Sequence, residues 1–373
     1  MVAPLIAPPI PTTTASGPRV LVISGSVGAG HDGAARELAE RLIRAGAVAE
    51  VRDLLDAVPR PVARLLRDGY TGTVGHVPAA FEFLFQRLEH RGLLWRIEQR
   101  VCATAEAAVT RWVSDVRPDV VVSTYPLTSQ TLGAMRADGR LSTPVITFLT
   151  DPAVHTSWLH PAVDAHLTVT AATAEQGSAD YGMSFTVAGP LVPVRFAGAP
   201  PLEELVDLRR DLGLPAGRPV ALLVAGSLGL GDLVPTVRHV AGAGFTPLVL
   251  CGHNETLRRR LHGVGAAVVL GWRADVHRLM HVADVLVQNA GGLSFTEAYV
   301  AGLPAVTYRP IPGHGRANAE VLDIAGLAPW ARTPDELSGH MRAQASRTRV
   351  PPLVKDPAQL VLGSVPAPPR WAA

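Results

Sequence analysis

The residues best suited to do chemistry sit in glycine-bounded turns. The first turn is Gly25-Ser-Val-Gly28-Ala-Gly30-His31. Glycines let a backbone approach a ligand, and a helix starting there offers free N–H groups to anionic or developing oxyanion groups. A neutral imidazole at His31 is suited to take a proton from a hydroxyl; the alternative is a histidine that merely satisfies the turn. The second stretch, Thr150-Asp151-Pro-Ala-Val-His155-Thr-Ser-Trp158-Leu-His160-Pro161, directly follows an apolar run. A carboxylate at Asp151 could orient His31 or hold an acceptor group. Asp151, His155 and His160 also read as metal ligands, but the i, i+5 histidine spacing does not share one helical face, and no metal is expected. Trp158 is either core or a substrate platform.

The third turn is Asn289-Ala290-Gly291-Gly292-Leu-Ser294-Phe-Thr-Glu297-Ala298. A Gly-Gly turn running into a helix suits a diphosphate by geometry and dipole. Glu297 is placed to accept two hydrogen bonds from a ribose cis-diol. Ser294 and Glu297 also have the spacing of a capping box. Further on, Ile311-Pro312-Gly313-His314-Gly315-Arg-Ala-Asn318 reads as a loop at a strand's end, or as an ordinary turn.

Short apolar runs separate these turns and predict the strands that carry them: Val20–Ile23, Val120–Ser123, Val145–Leu149, His166–Val169, Val220–Val224, Pro247–Leu250, Ala267–Leu270, Val285–Val287 and Ala305–Tyr308. Continuous apolar runs are expected of strands covered on both faces, and their alternation with helical patterns predicts parallel α/β sheets. The chain also repeats itself: a strand and the loop Gly25-Ser-Val-Gly28-Ala-Gly30 return as Val220–Val224 with Gly226-Ser227-Leu-Gly229-Leu-Gly231. Two such first turns predict two Rossmann-like, doubly wound domains. The spacing is not that of the NAD fingerprint. The expected division is a Pro-rich tail over 1–18, a first domain over 19–192, a linker over 193–217, a second domain over 218–348 and a second tail over 349–373.

The 373 residues are 47% hydrophobic and 18% charged, which excludes global disorder. A formal charge of +2 gives no field that would attract nucleic acid, and no nucleic-acid partner is expected. Cys102 and Cys251 are too few for a disulfide framework or a zinc site and are expected reduced and buried. The Pro-rich start fits no signal or transit peptide, and no run is long enough to span a membrane, so a cytoplasmic protein is expected. Between Arg60 and Arg100, arginines flank Leu65, Leu66, Phe81, Leu84, Phe85, Leu88 and Trp95. Such a stripe seats a helix on an anionic bilayer, or is a core face with a solvated edge.

Taken in order, these stretches resemble the monogalactosyldiacylglycerol synthase family, glycosyltransferases of the GT-B fold related to the peptidoglycan lipid-linked N-acetylglucosaminyl transferase. The matching residues include Gly28-Ala-Gly30-His31, Arg117-Pro118-Asp119, Tyr125-Pro126-Leu127, Thr150-Asp151 through Asp164, Cys251-Gly252-His253-Asn254, Gly271-Trp272, Asp284 through Ala298 and Ile311-Pro312-Gly313 with Asn318. The resemblance implies two domains facing across a cleft, and inverting transfer of a hexose from a UDP-sugar to diacylglycerol at the inner membrane surface. UDP-sugar is then a co-substrate, with no further cofactor and no metal. His31 would be the base, assisted by Asp151. Gly28, Gly30, Tyr125, Pro126, His155 and Trp158 would hold the acceptor. The donor would meet Gly226, Ser227, Gly229, Gly252, Asn254, Asn289, Ala290, Gly291, Gly292, Ser294, Glu297, Pro312, Gly313, His314 and Asn318. The chain departs from the family at Asn289-Ala-Gly291-Gly292, where Lys-Ala-Gly-Pro is usual, and at His314-Gly315, where Gln-Glu is usual. The competing expectations are a transferase acting on a soluble aglycone, a UDP-sugar epimerase of the same fold, and a non-catalytic nucleotide-sugar binder. An epimerase needs acidic residues near the sugar, and these loops offer chiefly histidines.

Overall fold

The computed structural model describes residues 17–76, 78–90, 92–224, 233–265, 267–352 and 355–365, with the side chains of 70–76 and 78–81 left aside. The chain forms two α/β domains, each on a six-stranded, fully parallel sheet. The first comprises β1 (Arg19–Ser24), β2 (Val48–Asp53), β3 (Val120–Ser123), β4 (Val145–Phe148), β5 (Ala165–Thr168) and β6 (Thr186–Val187), in the order β2-β1-β3-β4-β5-β6. The second comprises β7 (Val220–Val224), β8 (Thr246–Leu250), β9 (Val268–Leu270), β10 (Val285–Gln288), β11 (Ala305–Tyr308) and β12 (Trp330–Ala331), in the order β12-β11-β10-β7-β8-β9. In both sheets the winding reverses beside the first strand, between β1 and β3 and between β7 and β10. Ligands of open α/β sheets bind in the crevice that opens there. His31 follows β1, and Asn289–Gly292 follow β10.

All nine predicted strands are present, within a residue or so at their ends. The three that apolar runs did not announce are edge strands. β2 reads Val-Ala-Glu-Val-Arg-Asp and is partly exposed along its length, so nothing forces it to be uniformly apolar. β6 and β12 are two residues each. The buried interiors follow the strands: Val20, Val22, Val120, Val122 and Ile146 meet Leu38 and Leu42 of the helix Ala29–Arg44, and Leu222, Leu248 and Leu286 meet Leu279 and Phe295. Cys102 and Cys251 are free and buried.

The terminal segment read as an extended tail is not one throughout. Residues Pro357–Gly363 form a helix whose Ala358 and Val361 are buried in the first domain's core against the Ala29–Arg44 helix. Three prolines between 351 and 357 gave the impression of disorder; Pro357 instead starts a helix capped by Asp356. Just before it, Arg349 donates to the carbonyls of Met280 and Ala283 in the second domain. The chain therefore crosses between domains twice, near Val192 and between 349 and 356. Arg41 gathers both crossings, donating to Val192 O at 2.6 Å and lying 3.4 Å from the Asp356 carboxylate. Within the expected linker, Phe196, Leu208 and Leu214 are buried in the second domain's core.

Candidate active site

His31 occupies the first turn of the Ala29–Arg44 helix, whose N-cap is Gly28. It does not cap the turn; its Nδ1 lies 2.9 Å from the Thr124 carbonyl at the end of β3 and 3.0 Å from Thr150 Oγ1. A carbonyl only accepts, so Nδ1 carries the proton and Nε2 keeps its lone pair, the tautomer a general base requires. Thr124 and Thr150 thus orient the ring, a role that the sequence alone suggested for Asp151. Neither is distinctive in type; Thr124 directly follows β3, and Thr150 stands two residues past the end of β4.

Asp151 has another set of neighbours. The Trp158 indole donates to its Oδ2 at 3.2 Å, Asn318 Nδ2 stands 3.5 Å from Oδ1, and His155 Nε2 is 4.0 Å from Oδ2. Burial alone would push this carboxyl up. The imidazoles of His314, His31 and His155 and the Trp158 N–H outweigh burial and hold it below the usual carboxylate range. His31, His155 and His314 are each pushed below the ordinary imidazole value by burial, against the pull of Asp151. At neutral pH the cluster is one carboxylate among three neutral imidazoles. It is arranged to welcome one proton, which Asp151 would stabilise once His31 accepted it. Among the described residues, no three His, Cys, Asp or Glu side chains are grouped to hold a metal ion.

Trp158, expected to contact the acceptor, is fully buried in a small core with Leu149 and Val154, and it serves Asp151 instead. Tyr125 lies edge-on to His31 at 5.1 Å between ring centroids. The absent side chain of Gly25 is what admits the Tyr125 ring, since a Cβ there would lie 2.3 Å from it. Pro126 opens the Pro126–Ala137 helix behind Tyr125. His155 meets Phe85 at 5.2 Å, edge to face. Gly28 faces open space, and a Cβ added at Gly30 would lie 3.7 Å from Leu293 of the second domain.

On the second domain, the helix Gly292–Val300 starts with Gly291 as N-cap and no side-chain cap bond. Ser294 is already inside it, so the capping-box alternative does not hold and Glu297 is not engaged in a cap. Burial pushes the Glu297 carboxyl up to about 8, with Arg195 pulling it down. A carboxyl with that environment gains from a ligand that donates hydrogen bonds to it. Ala290 is left-handed at φ 65°, a strained conformation for alanine. Its carbonyl accepts from Asn318 at 3.1 Å.

Asn318, expected to touch the donor, is fully buried and spends both ends of its amide between the domains: Oδ1 accepts the Ala153 N–H at 2.9 Å. Asn254 caps the helix Glu255–His262 by accepting the Leu257 N–H, and Gly252 turns the chain at φ 57°; both have structural duties. Gly313, at φ 67°, is the N-cap of the helix His314–Ile324, and Pro312 precedes it. His314 lies 6.4 Å from Phe85 between ring centroids. Asn289 lines a crevice with Val224, Gln288, Tyr308 and Arg309 at the β7–β10–β11 ends. His253 and Trp272, both exposed, stack at 4.5 Å between ring centroids. Gly226, Ser227 and Gly229 lie outside the described residues.

Two sheets of this order, with the site between their strand ends, define a two-domain GT-B protein. Solved structures agree: MurG of Acinetobacter baumannii superposes with a TM-score of 0.56 at 17% identity, covering 93% of this chain and 98% of that one. The spinosyn rhamnosyltransferase SpnG complexed with thymidine diphosphate gives 0.59 at 16%, covering 92% and 98%. Residues 31–184 match the family model of monogalactosyldiacylglycerol (MGDG) synthase. Monogalactosyldiacylglycerol synthase 1 of Arabidopsis thaliana is 25% identical over 352 residues, covering 86% of this chain and 63% of the relative. The processive diacylglycerol beta-glucosyltransferase of Bacillus thuringiensis (strain Al Hakam) is 26% identical over 229 residues, covering 59% of this chain and 58% of the relative. The aligned part is thus less than two thirds of either relative's length. Over residues 31–184 the chain is therefore similar to the monogalactosyldiacylglycerol synthase family.

Proposed function

We propose that this chain transfers a hexose from a UDP-sugar to a diacylglycerol-like acceptor, with inversion, in glycolipid synthesis. The observation that carries this reading is the meeting of two helix starts. The turn bearing the His31 Nε2 lone pair approaches, at Gly30, Leu293 in the first turn of the Gly292–Val300 helix. The donor diphosphate would lie at the Gly291–Gly292 helix start, where the dipole stabilises the leaving UDP, with its ribose on Glu297. The acceptor hydroxyl would lose its proton to His31 as it attacks the anomeric carbon from the opposite face. Asp151 stabilises the resulting imidazolium.

The lipid acceptor draws support from the helices between residues 60 and 97. Leu65 and Leu93 are 71% and 72% exposed, and Phe83 and Ile97 about half, among exposed Arg60, Arg64, Arg87 and Arg96. Apolar side chains flanked by cations suit an anionic bilayer surface. The stripe is not wholly of that kind, because Phe85 points inward to His155 and Arg67 donates to Ser26 Oγ at 2.8 Å. Among the described residues no helix is long and apolar enough to cross a membrane, so a peripheral position at the inner face is the one proposed. The test is the purified chain with mixed UDP-hexoses and diacylglycerol vesicles, read by mass spectrometry. Glycosyl-diacylglycerol is the expected product; its absence, with a soluble aglycone glycosylated instead, overturns the lipid acceptor.

A further inference from the structure

The helix Pro78–Leu88 belongs to the first domain, yet its Glu82 accepts the backbone N–H of Gly313 on the second domain at 2.7 Å. Arg316, in the same first turn, lies 3.6 Å from that carboxylate. The His314–Ile324 helix brings no side-chain cap of its own. Glu82 supplies one across the cleft, with a charge matched to the helix dipole. One turn along, Phe85 packs edge-on against His155 at 5.2 Å and lies 6.4 Å from His314. Just beyond the helix, Glu89 accepts from the Thr156 N–H and hydroxyl and from Tyr181 OH at 2.8 Å. The Glu89 contacts stay within the first domain, and the charged Glu82 contact reaches the second.

Resting on the transferase reading above, we propose that Glu82 is a positioning residue that latches this helix across the cleft, so that Phe85 covers the histidines beside Asp151 and shuts out water. Water is the nucleophile that competes with the lipid hydroxyl. In that side reaction its oxygen bonds to the anomeric carbon while the bond from that carbon to the UDP oxygen breaks. The electron pair leaves on UDP, the water proton passes to His31, and free hexose is released. A closed apolar cover disfavours this without touching the donor.

The experiment measures free hexose against glycosyl-diacylglycerol for the full chain with a UDP-hexose and diacylglycerol vesicles. In Glu82→Ala the ratio of free hexose to glycolipid should rise on the order of ten- to a hundredfold, the population change expected from losing one charge-assisted hydrogen bond. UDP affinity should stay at the wild-type value. Glu82→Gln keeps an oxygen for the Gly313 N–H but loses the charge, and should fall between wild type and Glu82→Ala; it also serves if the alanine variant does not fold. An unchanged ratio in whichever of these variants folds, or an equal fall of both products, overturns the latch. A wild-type chain that makes neither product overturns the transferase reading and the latch with it.

Discussion

Asn318 accepts the Ala153 N–H at 2.9 Å and donates to Ala290 O at 3.1 Å, so one buried amide ties the Asp151 loop of the first domain to the Gly291–Gly292 turn of the second. The base-bearing and diphosphate-binding halves of the proposed site are therefore held in register by a side chain of neither catalytic type. A tight approach at the same seam makes its own prediction.

A Cβ added at Gly292 would sit 2.7 Å from the Thr150 carbonyl oxygen, a backbone atom of the opposite domain. Gly292→Ala should therefore force the cleft apart and cut transfer by about tenfold or more, a barrier change of roughly 1.4 kcal/mol. UDP binding to the second domain alone should survive, since alanine is about 1 kcal/mol the better helix former. Turnover beside UDP titration checks this; wild-type turnover would mean that the two domains need not approach so closely.

His31→Ala should lower transfer on the order of 10²- to 10⁴-fold while leaving UDP binding nearly intact. Burial holds the imidazole below its usual range, so the wild-type base stays neutral as pH falls through about 6.5, and the acid limb of the rate profile should lie lower than that. An acid limb above pH 6.5 would assign the titration to another group.

Glu297→Gln should raise the donor KM, because a bidentate carboxylate contact to the ribose becomes a neutral one. The folded carboxyl is raised to about 8. The folded chain then holds a proton between about pH 4.5 and 8 that the unfolded chain has released, so this group costs stability progressively as pH rises through that window. Glutamine removes that penalty, and the variant should melt no lower than wild type at pH 8.5. Wild-type UDP affinity should improve as pH rises through 8, and the variant's should not. A lower melting temperature with unchanged UDP affinity would return Glu297 to a purely structural role.

His314→Gln should alter the ratio of UDP-galactose to UDP-glucose use more than total turnover, because an imidazole and an amide present donor and acceptor in different planes. Burial holds His314 below the ordinary imidazole value, against the pull of Asp151, so the preference should not switch near pH 6.5. Measuring kcat/KM for both donors in both proteins decides it; equal changes mean that His314 does not read the sugar.

Much of this was legible in the sequence for a physical reason. Central parallel strands are buried on both faces and must be apolar, so Val20–Ile23 and Val220–Val224 announce themselves, and glycine turns mark their ends. The site's first turn was legible by the same logic, through His31. What escaped was whatever depends on contact between elements far apart in sequence. Thr124 and Thr150 orient the base only because two strand ends adjoin, and Asn318 looked like a ligand group until its amide proved to be consumed by backbone. Trp158 and Asn254 show the reverse: side chains with chemical potential that a core or a helix end had already claimed. β2 was missed because an edge strand with one covered face carries no continuous apolar run.

The return of Pro357–Gly363 onto the Ala29–Arg44 helix has a consequence for modularity. Expressing the first sheet alone, from Arg19 to Val192, would leave the places of Ala358 and Val361 beside Leu38 and Leu42 unfilled. Exchanging the second domain of this chain would therefore mean exchanging an internal cassette between the two crossings, with the last helix kept alongside the amino-terminal half. In this architecture the second domain is an insertion into the first, not an appended half.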